Sequence, residues 1–108
     1  PFAQGIAKYF SNALREDGLI ARATAGVVVL PGAAGTVQEI FQAATRLYYP
    51  NDGATPPLVL VGRATWTREI PVWPVLQQLA AGRPMADAIH LADSVDEAAA
   101  LIAAASRP

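Results

Sequence analysis

The chain has no cysteine, one histidine and one lysine among its 108 residues. Without cysteine, disulfides, zinc–thiolate sites and thiol catalysis are excluded. The 8 basic and 9 acidic residues give a formal net charge of −1, which offers no basis for a nucleic-acid-binding surface. No apolar run approaches the roughly 20 residues needed to span a bilayer, and the first residues lack the basic segment of a signal peptide. We therefore expect a cytoplasmic protein that binds neither nucleic acid nor a membrane.

Apolar residues are abundant and make up 53% of the chain. This fraction is enough for a buried core and argues against disorder. A chain of 108 residues forms one small domain at most.

The pattern of apolar residues predicts helices that alternate with strands. The predicted helices cover residues 6–17, 36–47, 71–81 and 94–105, and the predicted strands cover residues 26–30, 57–62 and 88–92. Residues 20–25 are predicted as a short helical turn. Each strand is a continuous apolar run, as expected of strands buried on both faces of a parallel sheet. The order predicts an α/β, Rossmann-like fold with flanking helices.

The predicted sheet is incomplete. Three buried strands leave at least one apolar edge exposed. We therefore expect further strands from an upstream half of the same protein or from a partner chain. On this interpretation, residues 1–108 are the C-terminal part of a single Rossmann-like nucleotide-binding domain.

A loop of small residues joins the first predicted strand to the next helix, with the sequence Pro-Gly-Ala-Ala-Gly-Thr over residues 31–36. Backbone N–H groups at a helix start lack intrahelical partners, and the helix dipole favours negative charge there. Because the loop carries almost no side chain, a phosphate can approach its backbone closely. The predicted phosphate-binding residues are Gly32, Ala33, Ala34, Gly35 and Thr36. The alternative is a tight turn without a ligand.

Thr36 and Glu39 have the spacing of a capping box, in which the threonine caps the helix and the glutamate bonds back to it. This structural role alone accounts for a glutamate at position 39. The last helix begins with a similar pattern, Ser94 to Glu97, and Asp93 is interpreted as another charge at that helix start. Three further residues are expected to have structural roles, namely His90, Trp66 and Trp73.

The loop and the start of its helix resemble the PGGxGTxxE motif of the Lonely Guy family of phosphoribohydrolases, often called lysine decarboxylases. The matching residues are Pro31, Gly32, Gly35, Thr36 and Glu39. Ala33 replaces the second glycine of the motif, a mild departure if its φ is negative. The resemblance covers most of the chain, but only the C-terminal half or so of a family member.

The resemblance implies hydrolysis of the N-glycosidic bond of a nucleoside 5′-monophosphate to a free base and ribose 5-phosphate, with no metal and no organic cofactor. It implies that Glu39 is catalytic and that Arg15 contacts the substrate and assists Glu39. Arg22 is the alternative to Arg15, and Asn12 and Lys8 are weaker candidates for substrate binding. Decarboxylation finds no support, because nothing around Lys8, the only lysine, suggests a pyridoxal site.

The resemblance also implies a homodimer with its sites close to the subunit interface. Two other functions remain open. One is a non-catalytic nucleotide- or cofactor-binding module, since molybdenum-cofactor carrier proteins look similar and use a related loop. The other is a structural half whose apolar edge pairs with another domain.

Overall fold

The computed structural model describes residues 20–23, 26–49 and 56–105. Within these ranges, four strands form one sheet in the order β1-β2-β3-β4. The strands are β1 (Ile20–Ala23), β2 (Gly26–Val29), β3 (Leu58–Val61) and β4 (Ile89–Ala92). β2, β3 and β4 are parallel, which confirms the three predicted strands and their direction.

β1 corrects the prediction of a helical turn over residues 20–25, because it pairs with β2 in the antiparallel direction. A helical turn this short satisfies few of its own backbone hydrogen bonds, whereas pairing satisfies groups on both strands. The predicted helix over residues 6–17 lies outside the described residues.

Within the described ranges, three α-helices flank the sheet. They are α1 (Ala34–Tyr48), α2 (Val72–Ala80) and α3 (Val95–Ala105). A π-helical turn at Thr65–Glu69 precedes α2, and a 3₁₀ turn at Pro84–Asp87 precedes β4. This arrangement confirms an α/β protein in which helices flank three parallel strands, and β1 adds an antiparallel strand to the same sheet.

The helices lie on both faces of the sheet. Apolar side chains of α1 and α2 pack with one set of strand residues, which includes Val29 and Leu60. α3 packs with the alternate set, which includes Val28 and Val59. Because side chains alternate along a strand, each buried strand supplies both cores. Burying one such Val or Leu contributes about 1.5–3 kcal/mol relative to leaving it exposed.

The register brings the carboxyl ends of the three parallel strands to one edge. Val29 of β2 pairs with Leu60 of β3, and Val61 of β3 pairs with Ala92 of β4. The fully buried Trp66 fixes this end of β3, since its indole Nε1 donates to the carbonyl oxygen of Val61 at 3.0 Å. Ligands of open α/β sheets bind at this kind of edge.

Candidate phosphate site at the carboxyl edge of the sheet

α1 begins two residues earlier than predicted. The backbone N–H of Val37 donates to the carbonyl oxygen of Ala33 at 3.0 Å, so that Ala33 is the N-cap residue. Thr36 therefore lies inside the first turn, where its hydroxyl does not cap the helix, and the capping box with Glu39 was a wrong prediction. No side chain of the described residues caps α1. Glu39 therefore does not form a capping box with Thr36.

Ala33 has a backbone conformation that any residue can adopt. Its φ is −112° and its ψ is −149°. The loop therefore does not need glycine at this position for conformational reasons. The replacement of the motif's second glycine by alanine is a mild departure in this structure.

Thr36 carries a buried hydroxyl without a partner among the described groups. The residue is 3% exposed, and its Oγ1 has no hydrogen bond. This oxygen faces Gly32 so closely that a Cβ on Gly32 would collide with it. Leaving a buried hydroxyl unsatisfied costs about 1–3 kcal/mol. The first turn of this 15-residue helix therefore contains a hydroxyl group that donates to no described acceptor.

Gly35 leaves open space beside the same helix start. A Cβ placed on it would meet no described atom within 4 Å. Glu39 lies four residues later and is partly buried, so the two positions share one face of α1. The Cα–Cβ bonds of a helix tilt toward its N-terminus, so Cβ of Glu39 is tilted toward the end of α1 that carries Gly35. The rise along the helix between these positions is about 6 Å.

The end of β3 packs against the loop. Gly62 has a φ of +109°, and a Cβ on it would lie 2.9 Å from Cγ of Pro31. Only glycine combines this backbone conformation with such a close approach. Gly62 therefore couples the end of β3 to the first residue of the loop.

Arg63 and Asp93 add an ion pair to the same edge, which the sequence analysis missed. Nε of Arg63 donates to Oδ1 of Asp93 at 3.1 Å, with the two side chains 56% and 64% exposed. Asp93 was interpreted only as a charge near a helix start, and Arg63 was not singled out. The available indication was that each residue follows the end of a predicted strand, where α/β proteins place ligand-binding groups.

The predicted capping box of α3 is present in a modified form. The N–H of Glu97 donates to Oγ of Ser94 at 3.1 Å, as expected. Oε1 of Glu97 accepts from the N–H of Asp93 at 2.9 Å rather than from that of Ser94. The backbone that carries the Asp93 carboxylate is therefore held in place by α3.

The predicted arginine is not brought to the site by the described part of the chain. Arg15, Asn12 and Lys8 lie outside it. Arg22 lies on β1, where it pairs in register with Val27 of β2, and its side chain is not described. Of the predicted site residues, the structure brings together those of the loop, Thr36 and Glu39.

A concavity lies at the other end of α1, away from the loop. Its volume is about 260 Å³, and its lining consists of Phe41, Ala44, Thr45, Tyr48, Tyr49 and Leu79. The guanidinium of Arg83 lies 3.9 Å from the centre of the Tyr48 ring and donates to its hydroxyl at 2.8 Å. This apolar concavity is separate from the loop that carries the candidate site.

The two tryptophans have the packing positions that were predicted for them. Trp66 is fully buried and Trp73 packs against the core. His90 lies within β4, and burial lowers its pKa, while the charge of Asp87 acts in the opposite direction. Within residues 20–23, 26–49 and 56–105, no group of three metal-ligating side chains occurs, and no helix is long and apolar enough to cross a membrane.

Comparison of the chain with protein-family models, curated proteins and solved structures found no match.

Proposed function

We propose that the chain forms part of a Rossmann-like domain that binds a nucleoside 5′-monophosphate and hydrolyses its N-glycosidic bond. The observation that carries this proposal is the unsatisfied, buried hydroxyl of Thr36 beside a loop of small residues. The hydroxyl lies at a helix start and at the carboxyl edge of a parallel sheet, two places that favour an anionic ligand.

The 5′-phosphate binds the loop in this proposal. The first backbone N–H groups of α1, at Ala34, Gly35 and Thr36, lack intrahelical acceptors by the geometry of an α-helix. They donate to phosphate oxygens, and the hydroxyl of Thr36 supplies a further donor. Gly32 makes room for the Thr36 side chain, and the open space at Gly35 accommodates the ligand.

Glu39 acts on the sugar. Its carboxylate stabilises the oxocarbenium-like positive charge that develops at C1′, or orients the attacking water. The oxygen of water forms a bond to C1′ while the bond between C1′ and the base nitrogen breaks. The proton from water goes to the departing base, which gives a free base and ribose 5-phosphate. Arg15, or Arg22, binds and orients the substrate in this scheme.

The rival function is a binding module without catalysis, and Glu39 distinguishes the two. A carrier retains its function when Glu39 is replaced by glutamine, because the isosteric amide preserves the packing. A hydrolase loses turnover while it keeps ligand binding. Gln38 is an exposed neighbour on the same helix, so Gln38→Ala provides a matched control.

The test uses the full-length protein with a panel of nucleoside 5′-monophosphates, and measures free base and ribose 5-phosphate. We expect release by the wild type and by Gln38→Ala, and loss of release in Glu39→Gln with binding retained. Absence of release from every monophosphate, with the protein folded and nucleotide bound, favours the binding module. If neither nucleotide nor phosphate raises the melting temperature, a structural half is favoured instead.

The homodimer implied by the family resemblance also remains a proposal. Among the described residues, three large apolar side chains are exposed, namely Tyr49, Val75 and Leu79. Exposed apolar side chains are compatible with contact to another subunit. Light scattering of the full-length protein measures the mass directly.

A further inference from the structure

We propose that Arg63 and Asp93 determine base specificity by binding the edge of the nucleotide's base. This inference rests on the proposed function, which places the phosphate in the loop. The chemical class selected is a base with a keto oxygen next to a ring N–H, as in hypoxanthine and guanine. Adenine lacks that arrangement.

The position of the pair fits the far end of a nucleotide. Arg63 directly follows Gly62, whose backbone packs against Pro31 of the loop. Asp93 directly follows β4, the next strand in the sheet. Neighbouring strands are about 4.8 Å apart, so the pair lies one to two strand spacings from the loop, at about 5–10 Å. A nucleotide that binds the loop through its phosphate and extends toward the ends of β3 and β4 would place its ribose between the loop and the pair, and its base beside the pair.

The backbone of Arg63 is fixed by hydrogen bonds on each side. The N–H of Gly62 donates to the carbonyl oxygen of Ala92 at 2.9 Å, which ties the end of β3 to β4. The hydroxyl of Thr67 donates to the carbonyl oxygen of Arg63 at 2.6 Å. Asp93 is held by Glu97 in the same way. Both charged groups are therefore presented from a rigid edge, as specific recognition requires.

The ion pair between Arg63 and Asp93 contributes little to the stability of the fold. Both side chains are more than half exposed, and exposed ion pairs contribute between about 0 and 1 kcal/mol. The contact with Asp93 uses Nε of Arg63, and the two Nη atoms of a guanidinium are additional donors. A carboxylate has acceptor positions on both oxygens. The pair thus presents donors beside an acceptor.

This arrangement complements a keto oxygen beside an N–H. Arginine binds the keto oxygen of guanine, and acidic side chains accept hydrogen bonds from base N–H groups. Adenine presents an amino group and an unprotonated ring nitrogen at the corresponding positions, which places donor against donor and acceptor against acceptor. Inosine and adenosine 5′-monophosphates differ mainly in this feature and are matched probes.

The experiment measures dissociation constants of the full-length protein for inosine 5′-monophosphate, adenosine 5′-monophosphate and ribose 5-phosphate. We expect the wild type to prefer the inosine nucleotide by about 5- to 150-fold, the range given by one good base contact. Asp93→Asn and Arg63→Gln should reduce this preference to below about 3-fold, while affinity for ribose 5-phosphate stays unchanged. Asp96→Asn and Arg68→Gln remove the same charges at exposed positions nearby and should leave the preference intact.

The outcomes separate this inference from the proposal on which it rests. If ribose 5-phosphate binds and the preference is absent, or survives in both variants, the base-binding role of the pair is overturned and the phosphate site stands. If neither ribose 5-phosphate nor any nucleotide binds the folded protein, the proposed function fails and this inference fails with it.

Discussion

The hydroxyl of Thr36 faces Gly32 across the turn between β2 and α1, in a space too small for any side chain on the glycine. The hydroxyl has no hydrogen-bond partner in the described part of the chain, and the residue is almost fully buried. Such an oxygen destabilises the fold unless a partner satisfies it. Gly32 therefore provides the space for the Thr36 hydroxyl, which is the group proposed to bind the phosphate.

Thr36→Val tests whether the hydroxyl serves a ligand. Valine preserves the shape and removes the unsatisfied oxygen, so we expect the free energy of unfolding to rise by about 1 kcal/mol. Affinity for ribose 5-phosphate should fall by about 10- to 150-fold, the equivalent of one hydrogen bond to a charged group. Thermal unfolding and calorimetric titration measure the two effects.

Thr36→Ser is the matched control, since it keeps the hydroxyl and removes a methyl group. It should retain ligand affinity while it loses stability through the small cavity. If Thr36→Val loses stability and binds ribose 5-phosphate as well as the wild type, the hydroxyl has a structural role and the phosphate site loses its main support.

Gly62→Ala tests the coupling between β3 and the loop. Alanine at a φ of +109° is strained, and its Cβ would lie 2.9 Å from Pro31. We expect a loss of about 1–3 kcal/mol in the free energy of unfolding, measured by denaturant titration. Because the added methyl group would displace Pro31 and with it the loop, the affinity of the loop for phosphate should fall as well.

Pro31→Ala in the same background separates the two causes. It relieves the steric contact and leaves the backbone strain, so part of the lost stability should return only in the double variant. Strict additivity of the two substitutions would show that the contact with Pro31 carries no energy.

The sequence predicted those parts of the fold that depend on local pattern. The apolar runs that form β2, β3 and β4 are continuous, and this is typical of buried parallel strands. β1 could not be predicted in the same way, because its structure depends on pairing with β2 rather than on its own four residues.

The sequence identified the residues of the candidate site, but it did not predict their burial or their contacts. The small residues and Thr36 were identified, but their sequence resembles a helix cap so well that the start of α1 was placed two residues too late. The burial of the hydroxyl depends on packing that no local pattern shows. Arg63 and Asp93 are 30 residues apart, and their contact arises only because β3 and β4 are neighbours in the sheet.

His90 predicts a dependence of stability on pH. Burial lowers its pKa below the ordinary value of 6.5, and the charge of Asp87 partly opposes this shift. The unfolded chain therefore binds more protons than the folded protein just below pH 6.5, so that stability falls as the pH drops through this window. Urea titrations at several pH values should show this fall in the wild type, and His90→Gln should remove that part of it.

Asp87→Asn gives a second check on the same histidine. Removing the nearby negative charge should lower the pKa of His90 further, which NMR titration of the imidazole measures. A pKa that rises in this variant would contradict the assignment of Asp87 as the opposing charge.

Gly35→Ala distinguishes the effect of this position on stability from its effect on ligand binding. Gly35 lies inside α1, and a Cβ on it would meet no described atom within 4 Å. Alanine is favoured over glycine in a helix by about 0.5–1 kcal/mol, so we expect the melting temperature to rise by a few degrees. The same methyl group would occupy the space assigned to the phosphate and sugar, so affinity for ribose 5-phosphate should fall. A variant that is more stable and binds equally well would show that the open space at Gly35 is not the binding site.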